Sequence, residues 1–155
     1  WTVTTYNCQF LAPSRPLNEV CTRIHSDVIG LQSTGTTWRF YQRLENQRCF
    51  IKNVGQYSVL QWPIGDRTSR ASGVSIAVKR NLLPRSAISQ VWSPPDECLQ
   101  GRGGAVRYRL KSGTDFTFIL SYFPPTSVPQ AAEITEKLWA WQSDVLKDLP
   151  RRTLP

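Results

Sequence analysis

"WTVTTYNCQFLAPSRPLNEVCTRIHSDVIGLQ" (Trp1–Gln32) is the stretch that decides the fold class. Its first eleven residues are β-branched and aromatic with partial alternation, which predicts a strand, placed centrally in its sheet. The sequence Ala12-Pro13-Ser14-Arg15-Pro16 breaks that strand. Leu17, Val20, Cys21 and Ile24 then recur at i, i+3, i+4 and i+7, one apolar stripe of a helix that Ser14 could cap. Asp27–Gln32 is a short apolar run, as expected of a strand covered on both faces. Strand, helix and strand within about thirty residues make a βαβ-like opening, which requires parallel pairing of the two strands.

The remainder reads outward from that opening. Arg48–Val54, Tyr57–Ile64, Gly73–Arg80, Ile88–Ser93, Ala105–Lys111 and Phe116–Phe123 are strand candidates separated by turn-rich pieces, a run of antiparallel hairpins. The clearest hairpin turns around Ser112-Gly113. Ser127 and Gln130 have capping-box spacing, with Pro129 expected in the first helical turn. Ala131, Ile134, Leu138, Trp141, Val145 and Leu149 follow at spacings of three and four, an amphipathic helix ending near Pro150, with Trp139 semi-exposed. The expected architecture is α/β, with a mixed β-sheet and helices on its outer face, in one unit over residues 1–155.

Composition narrows the function classes. The chain has 155 residues, 40% of them hydrophobic, which fits one globular domain. No apolar run approaches the roughly 18 residues of a membrane helix. The net charge of +8 favours an anionic partner such as nucleic acid, although the basic residues are dispersed and form no basic tail. Cys8, Cys21, Cys49 and Cys98 lack CxxC spacing and have only His25 as company, which argues against zinc. They read as reduced, intracellular thiols, with disulfides left open by count alone. His25 follows the helical stripe and reads as a helix-end residue. Gly101–Gly104 ("GRGG") lacks the P-loop Lys-Ser/Thr and precedes a strand, so it reads as a loop; Asp66 reads as a hairpin turn residue.

Three motifs in order carry a resemblance. They are Tyr6-Asn7 at the end of the first strand, Asp27-Val28-Ile29-Gly30-Leu31-Gln32-Ser33 on the second, and Tyr122-Phe123-Pro124 after a late hairpin. Ser72–Arg80 ("SGVSIAVKR") adds a fourth likeness. Together the chain resembles the endonuclease/exonuclease/phosphatase superfamily, the DNase-I-like fold, and within it the endonuclease domains of non-LTR retrotransposons. The resemblance implies the N-terminal half of a four-layered DNase-I-like α/β sandwich, magnesium-assisted phosphodiester hydrolysis, a nucleic-acid partner with DNA favoured, and a nuclear location. It also implies catalytic roles for Asn7, which would help order the site, and Tyr122, which would contact the phosphate region. The position after Gln32 would supply a metal carboxylate.

Here that position is Ser33, a neutral hydroxyl where a Glu is expected; Gln32 is the neighbouring, weaker candidate. The family's Gly-Asp-x-Asn motif and its late Asp–His pair have no counterpart before Pro155. Each matched residue also has an ordinary reading: Asn7 as a strand-end cap, Tyr122 as a half-buried strand aromatic, Ser33 to Thr36 as a turn. The expectation is therefore a catalytically incompetent portion of a nuclease domain. A non-catalytic nucleic-acid-binding or scaffold domain is the alternative, and a phosphatase or deadenylase of the same superfamily a third. A single sheet with two helices would leave its inner face bare, to be covered by the rest of the domain or by self-association.

Overall fold

The computed structural model describes residues 1–9, 17–35, 48–65 and 72–150. The βαβ-like opening forms as its periodicity requires. Strand β1 (Val3–Asn7) leads to helix α1 (Leu17–Arg23) and strand β2 (Val28–Gln32), and β1 and β2 pair in parallel from Val3↔Val28 to Asn7↔Gln32. The candidate cap Ser14 and the turn residue Asp66 lie outside the described residues.

All six later strands are present: β3 (Phe50–Val54), β4 (Tyr57–Trp62), β5 (Val74–Lys79), β6 (Ile88–Trp92), β7 (Gly103–Arg109) and β8 (Asp115–Ser121), followed by helix α2 (Ala131–Asp148). They form two sheets where one was expected. A mixed five-stranded sheet runs β1-β2-β5-β4-β3, and a three-stranded antiparallel sheet runs β6-β7-β8. Alternation along each strand gives the face but not the sheet, so the partition is decided by packing. β1 was expected to be central and is instead at one end of the described five-stranded sheet, with Val3 63% exposed. β-Branched composition marks a strand without marking its place in the sheet.

The two sheets enclose the main core. Val28, Leu60, Trp62, Val74, Ile76 and Val78 of the larger sheet pack against Val106, Tyr108 and Leu120 of the smaller one. The alternate positions face outward. Ile29, Leu31, Tyr57, Val59 and Ala77 meet Cys21, with Leu17, Val20 and Ile24 of the α1 segment packed against them. On the far side, Ala105 meets Ile134, Leu138, Trp141 and Val145 of α2, so the helical stripe is buried as its spacing predicts while Trp139 is 58% exposed. The order of layers is helix, five strands, three strands, helix. The expected bare inner face is thus covered by β6–β8 over most of its width. What remains open is a strip along β1, where Val3 and Thr5 are exposed although their register partners Val28 and Gly30 face the second sheet.

Two indoles fix the start of β7. A Cβ on Gly104 would collide with the Trp62 ring, and one on Gly103 would stand 2.6 Å from the Trp141 ring on the opposite face. The glycines of "GRGG" are therefore there for close approach, and the second pair belongs to a strand and not to a loop. Trp62 donates its Nε1–H to the Trp92 carbonyl at 3.0 Å, so its polar atom is satisfied inside the sandwich.

The start of α2 departs from expectation. Successive turns consume the local amides, Val128 N–H to the Pro125 carbonyl and Ala131 N–H to the Val128 carbonyl. Gln130 takes a left-handed conformation (φ 62°) as N-cap, with no side-chain cap. Capping-box spacing is present, but the helix begins beyond Pro129 and the box does not close.

Two substitutions test this core. Gly104→Ala should destabilise by about 1–3 kcal/mol through overpacking against Trp62, measured as a lowered urea midpoint. Tyr108 is fully buried with no partner for its hydroxyl, and burial pushes its ionisation up. Tyr108→Phe should therefore leave stability unchanged or raise it by roughly 1 kcal/mol in the same measurement.

Candidate functional site

Strand direction divides the sandwich into two unlike ends. β1, β2, β4, β6 and β8 finish at one end, where β3, β5 and β7 begin. The segments joining them there are 8–16, 33–49, 63–73, 93–102 and 122–130. The opposite end has the short connections 24–27, 55–56 and 110–114, and the segment 80–87. Long connections mounted on one end of a rigid scaffold are where binding and catalytic groups concentrate. Asn7, Gln32, Ser33 and Tyr122 all lie at this long-segment end.

Gln32 is the hub. Its side-chain amide donates to the Ser121 carbonyl at 3.0 Å, bridging the tips of β2 and β8 across the two sheets. Its own carbonyl accepts from Cys8 N–H at 2.9 Å, tying in the end of β1. Gln142 of α2 donates to the Ser121 hydroxyl at 2.6 Å, so both sheets and one helix meet at Ser121. Tyr122 follows directly and donates its N–H to the Arg102 carbonyl at 2.7 Å. Asn7 is exposed, and its carbonyl oxygen accepts from Gln9 N–H at 3.0 Å, the ordinary strand-end cap.

Ser33 is buried with a left-handed backbone, φ 57°. The chain after it is not a free turn. Thr34 N–H donates to the Gly73 carbonyl at 3.0 Å and Gly35 N–H to the Ser72 carbonyl at 2.8 Å, while Gly73 N–H reaches the Gly101 carbonyl at 2.7 Å. The tip of β2 is thus stitched to the start of β5 and on to the turn before β7. A non-glycine residue at positive φ persists only where its surroundings hold it.

Magnesium takes hard oxygen ligands and is ordinarily held by one or two carboxylates. The donors gathered here are two carboxamides, a hydroxyl and a phenol, all neutral. Among the described residues no three His, Cys, Asp or Glu side chains come together as a metal-binding group. Gln32 and Ser33 therefore do not fit the expected magnesium site, and no hydrolytic step follows from them.

Sequence reasoning missed Arg102. It is 4% exposed, and its guanidinium lies 5.8 Å from the Tyr122 ring centroid. Burial pulls its pKa below the usual arginine value, with Tyr122 and Cys98 opposing. An arginine between two glycines, directly before an apolar strand, was the available signal. The four cysteines are free thiols; burial, then the neighbouring Cys21, pushes Cys8 up to about 11, and burial pushes Cys21 to about 11. They are not poised as nucleophiles. His25 is exposed beyond the end of α1.

Compared with known proteins, the chain matches no family model and no curated protein.

Asp96, in the segment before β7, gives a pH test. The Cys98 side chain and amide and then the Lys137 ammonium hold its carboxyl down at about 2; the amide bond is 2.9 Å and the Lys137 pair 3.0 Å. A depressed carboxylate stabilises the fold above its unfolded pKa of about 4, and that contribution is lost as pH falls towards 2. Asp96→Asn should flatten the pH dependence of thermal unfolding between about pH 4 and 2 and lower the melting temperature at pH 7.

Proposed function

We propose that the chain binds nucleic acid through its long-segment end, as a degenerate relative of the endonuclease/exonuclease/phosphatase superfamily whose strand tip no longer carries a metal carboxylate. The observation that carries this reading is the gathering of Asn7, Gln32, Ser33 and Tyr122, far apart in sequence, at one end of a layered sandwich. A neutral, buried hydroxyl stands where hydrolysis would need a charged ligand. Binding survives that change; metal-assisted cutting does not.

Charge supports the same end. Arg48 and Arg102 lie there among the described residues, and in the sequence the stretches between the strands that meet at this end also hold Arg15, Arg39, Arg43, Arg67 and Arg70, and no lysine. Lys52, Lys79, Lys111, Lys137 and Lys147 all lie elsewhere. Arginine presents a planar fork suited to phosphate oxygens, whereas lysine is a point charge. The acidic residues in those segments are fewer: Glu45, Asp66, Asp96 and Glu97.

Two assays test the reading. Duplex DNA binding should weaken steeply with salt, with a log–log slope beyond about −2.7, corresponding to three or more phosphate contacts. Plasmid nicking in magnesium should be absent. Nicking that disappears in Asn7→Ala would replace binding with catalysis, and a salt-independent or undetectable interaction with duplex and single-stranded DNA and with RNA would remove nucleic acid as the partner.

A further inference from the structure

Several charged side chains of this protein are held by local partners. Away from the long-segment end, Lys79 meets Asp27 at 3.0 Å, Arg107 meets Asp115 at 2.6 Å, and Arg80 donates to the Tyr57 carbonyl at 2.9 Å. On α2, Lys137 bridges Asp96 and Glu133, both at 3.0 Å. Arg102 differs from them in depth. It is more deeply buried than any of these, and among the described residues no carboxylate pairs with it. Of its five N–H donors, the Nη1 group alone is engaged, by the Tyr122 carbonyl at a long 3.5 Å. Burying an unpaired guanidinium is costly, and proteins seldom leave one without an anion.

The position is held firmly. Gly101 has φ 75°, and a Cβ there would stand 3.0 Å from the Pro63 carbonyl oxygen, so the turn lies flat on the end of β4. Arg102 N–H donates to the Leu99 carbonyl at 2.9 Å, and its own carbonyl accepts from Tyr122 N–H at 2.7 Å. The Tyr122 ring flanks the guanidinium. None of the free Arg102 nitrogens is sealed from solvent without a partner, in contrast to Arg48 Nη1 at the same end, which is. The head is therefore preorganised, and its free nitrogens keep slight contact with solvent.

We infer that Arg102 is an anion subsite that takes a phosphodiester oxygen of the nucleic-acid backbone, with Tyr122 as its wall. The inference rests on the proposed function for the identity of the phosphate's owner. The subsite itself rests on the unpaired buried charge. Arg102 is a binding group and no reaction is assigned to it.

Inorganic phosphate is the probe. At constant ionic strength, exchanging chloride for phosphate should raise the melting temperature of the intact chain by roughly 4 °C. Arg102→Met should abolish that rise while melting in chloride no lower than the unsubstituted protein, because it removes an unpaired buried charge. Arg102→Lys should retain part of the rise. If Arg102→Met does not fold, the Arg102 Nε–H resonance of the unsubstituted protein, followed by NMR, should shift on phosphate addition. An unchanged resonance, an equal phosphate effect in Arg102→Met, or no phosphate effect at all overturns the subsite. Duplex binding is measured beside it. A phosphate response without duplex binding keeps the subsite and removes the nucleic-acid reading.

Discussion

The Trp62 indole lying against the bare backbone of Gly104 sets how closely the two sheets approach. Any side chain at that position would push the smaller sheet outward and open voids around Leu60, Ile76, Val106 and Tyr108. Trp62 cannot simply be smaller, because its Nε1–H also ties β4 to the Trp92 carbonyl at the end of β6. On the other face of the same strand, Trp141 needs Gly103 for the same reason, which seats α2. Two indoles and two glycines thus set the spacing of three of the four layers near the end that carries the long segments.

That spacing brings β2 and β8 within one carboxamide of each other. Gln32 closes the distance to Ser121, and Gln142 reaches the same residue from the helix. Side-chain amides suit such a junction, because each can donate and accept and neither carries a charge that must be desolvated. The one strong charge held among these groups is Arg102, placed by backbone bonds on both sides. Around Ser121 and Tyr122, polarity is therefore divided between neutral groups that fasten the layers and the Arg102 cation, which no carboxylate among the described residues pairs.

Much of this was legible in the sequence. Every described strand and both helices were, because periods of two and of three to four survive any tertiary arrangement. The parallel pairing of β1 and β2 followed from the helix between them, and with it the placing of Asn7 beside Gln32. The division into two sheets was not legible, because alternation in "ISQVWS" or "GVSIAVKR" names a face without naming the partner sheet. The edge position of β1 was hidden for a similar reason: Thr, Val and Tyr favour strands in the middle and at the margin alike. Ser127 and Gln130 had the right spacing for a cap, but the turns at Val128 and Ala131 had already used the local amides. Arg102 was invisible because its burial is produced by strands distant in sequence, and no local pattern announces a charge that lacks its counter-ion.

The unequal ends of the sandwich give the protein a division between what is fixed and what is open to change. Lengthening a flexible connection costs only about 0.6 kcal/mol per doubling, whereas a residue added to a tight turn shifts strand register and reverses every face beyond it. Trp62, Gly104 and the layers they space lie outside the long stretches of sequence that join β2 to β3 and β4 to β5. The turns at 55–56 and 110–114 are of the tight kind. The tight-turn end is thus the more constrained of the two, and Ser33, buried beyond the tip of β2, lies at the other.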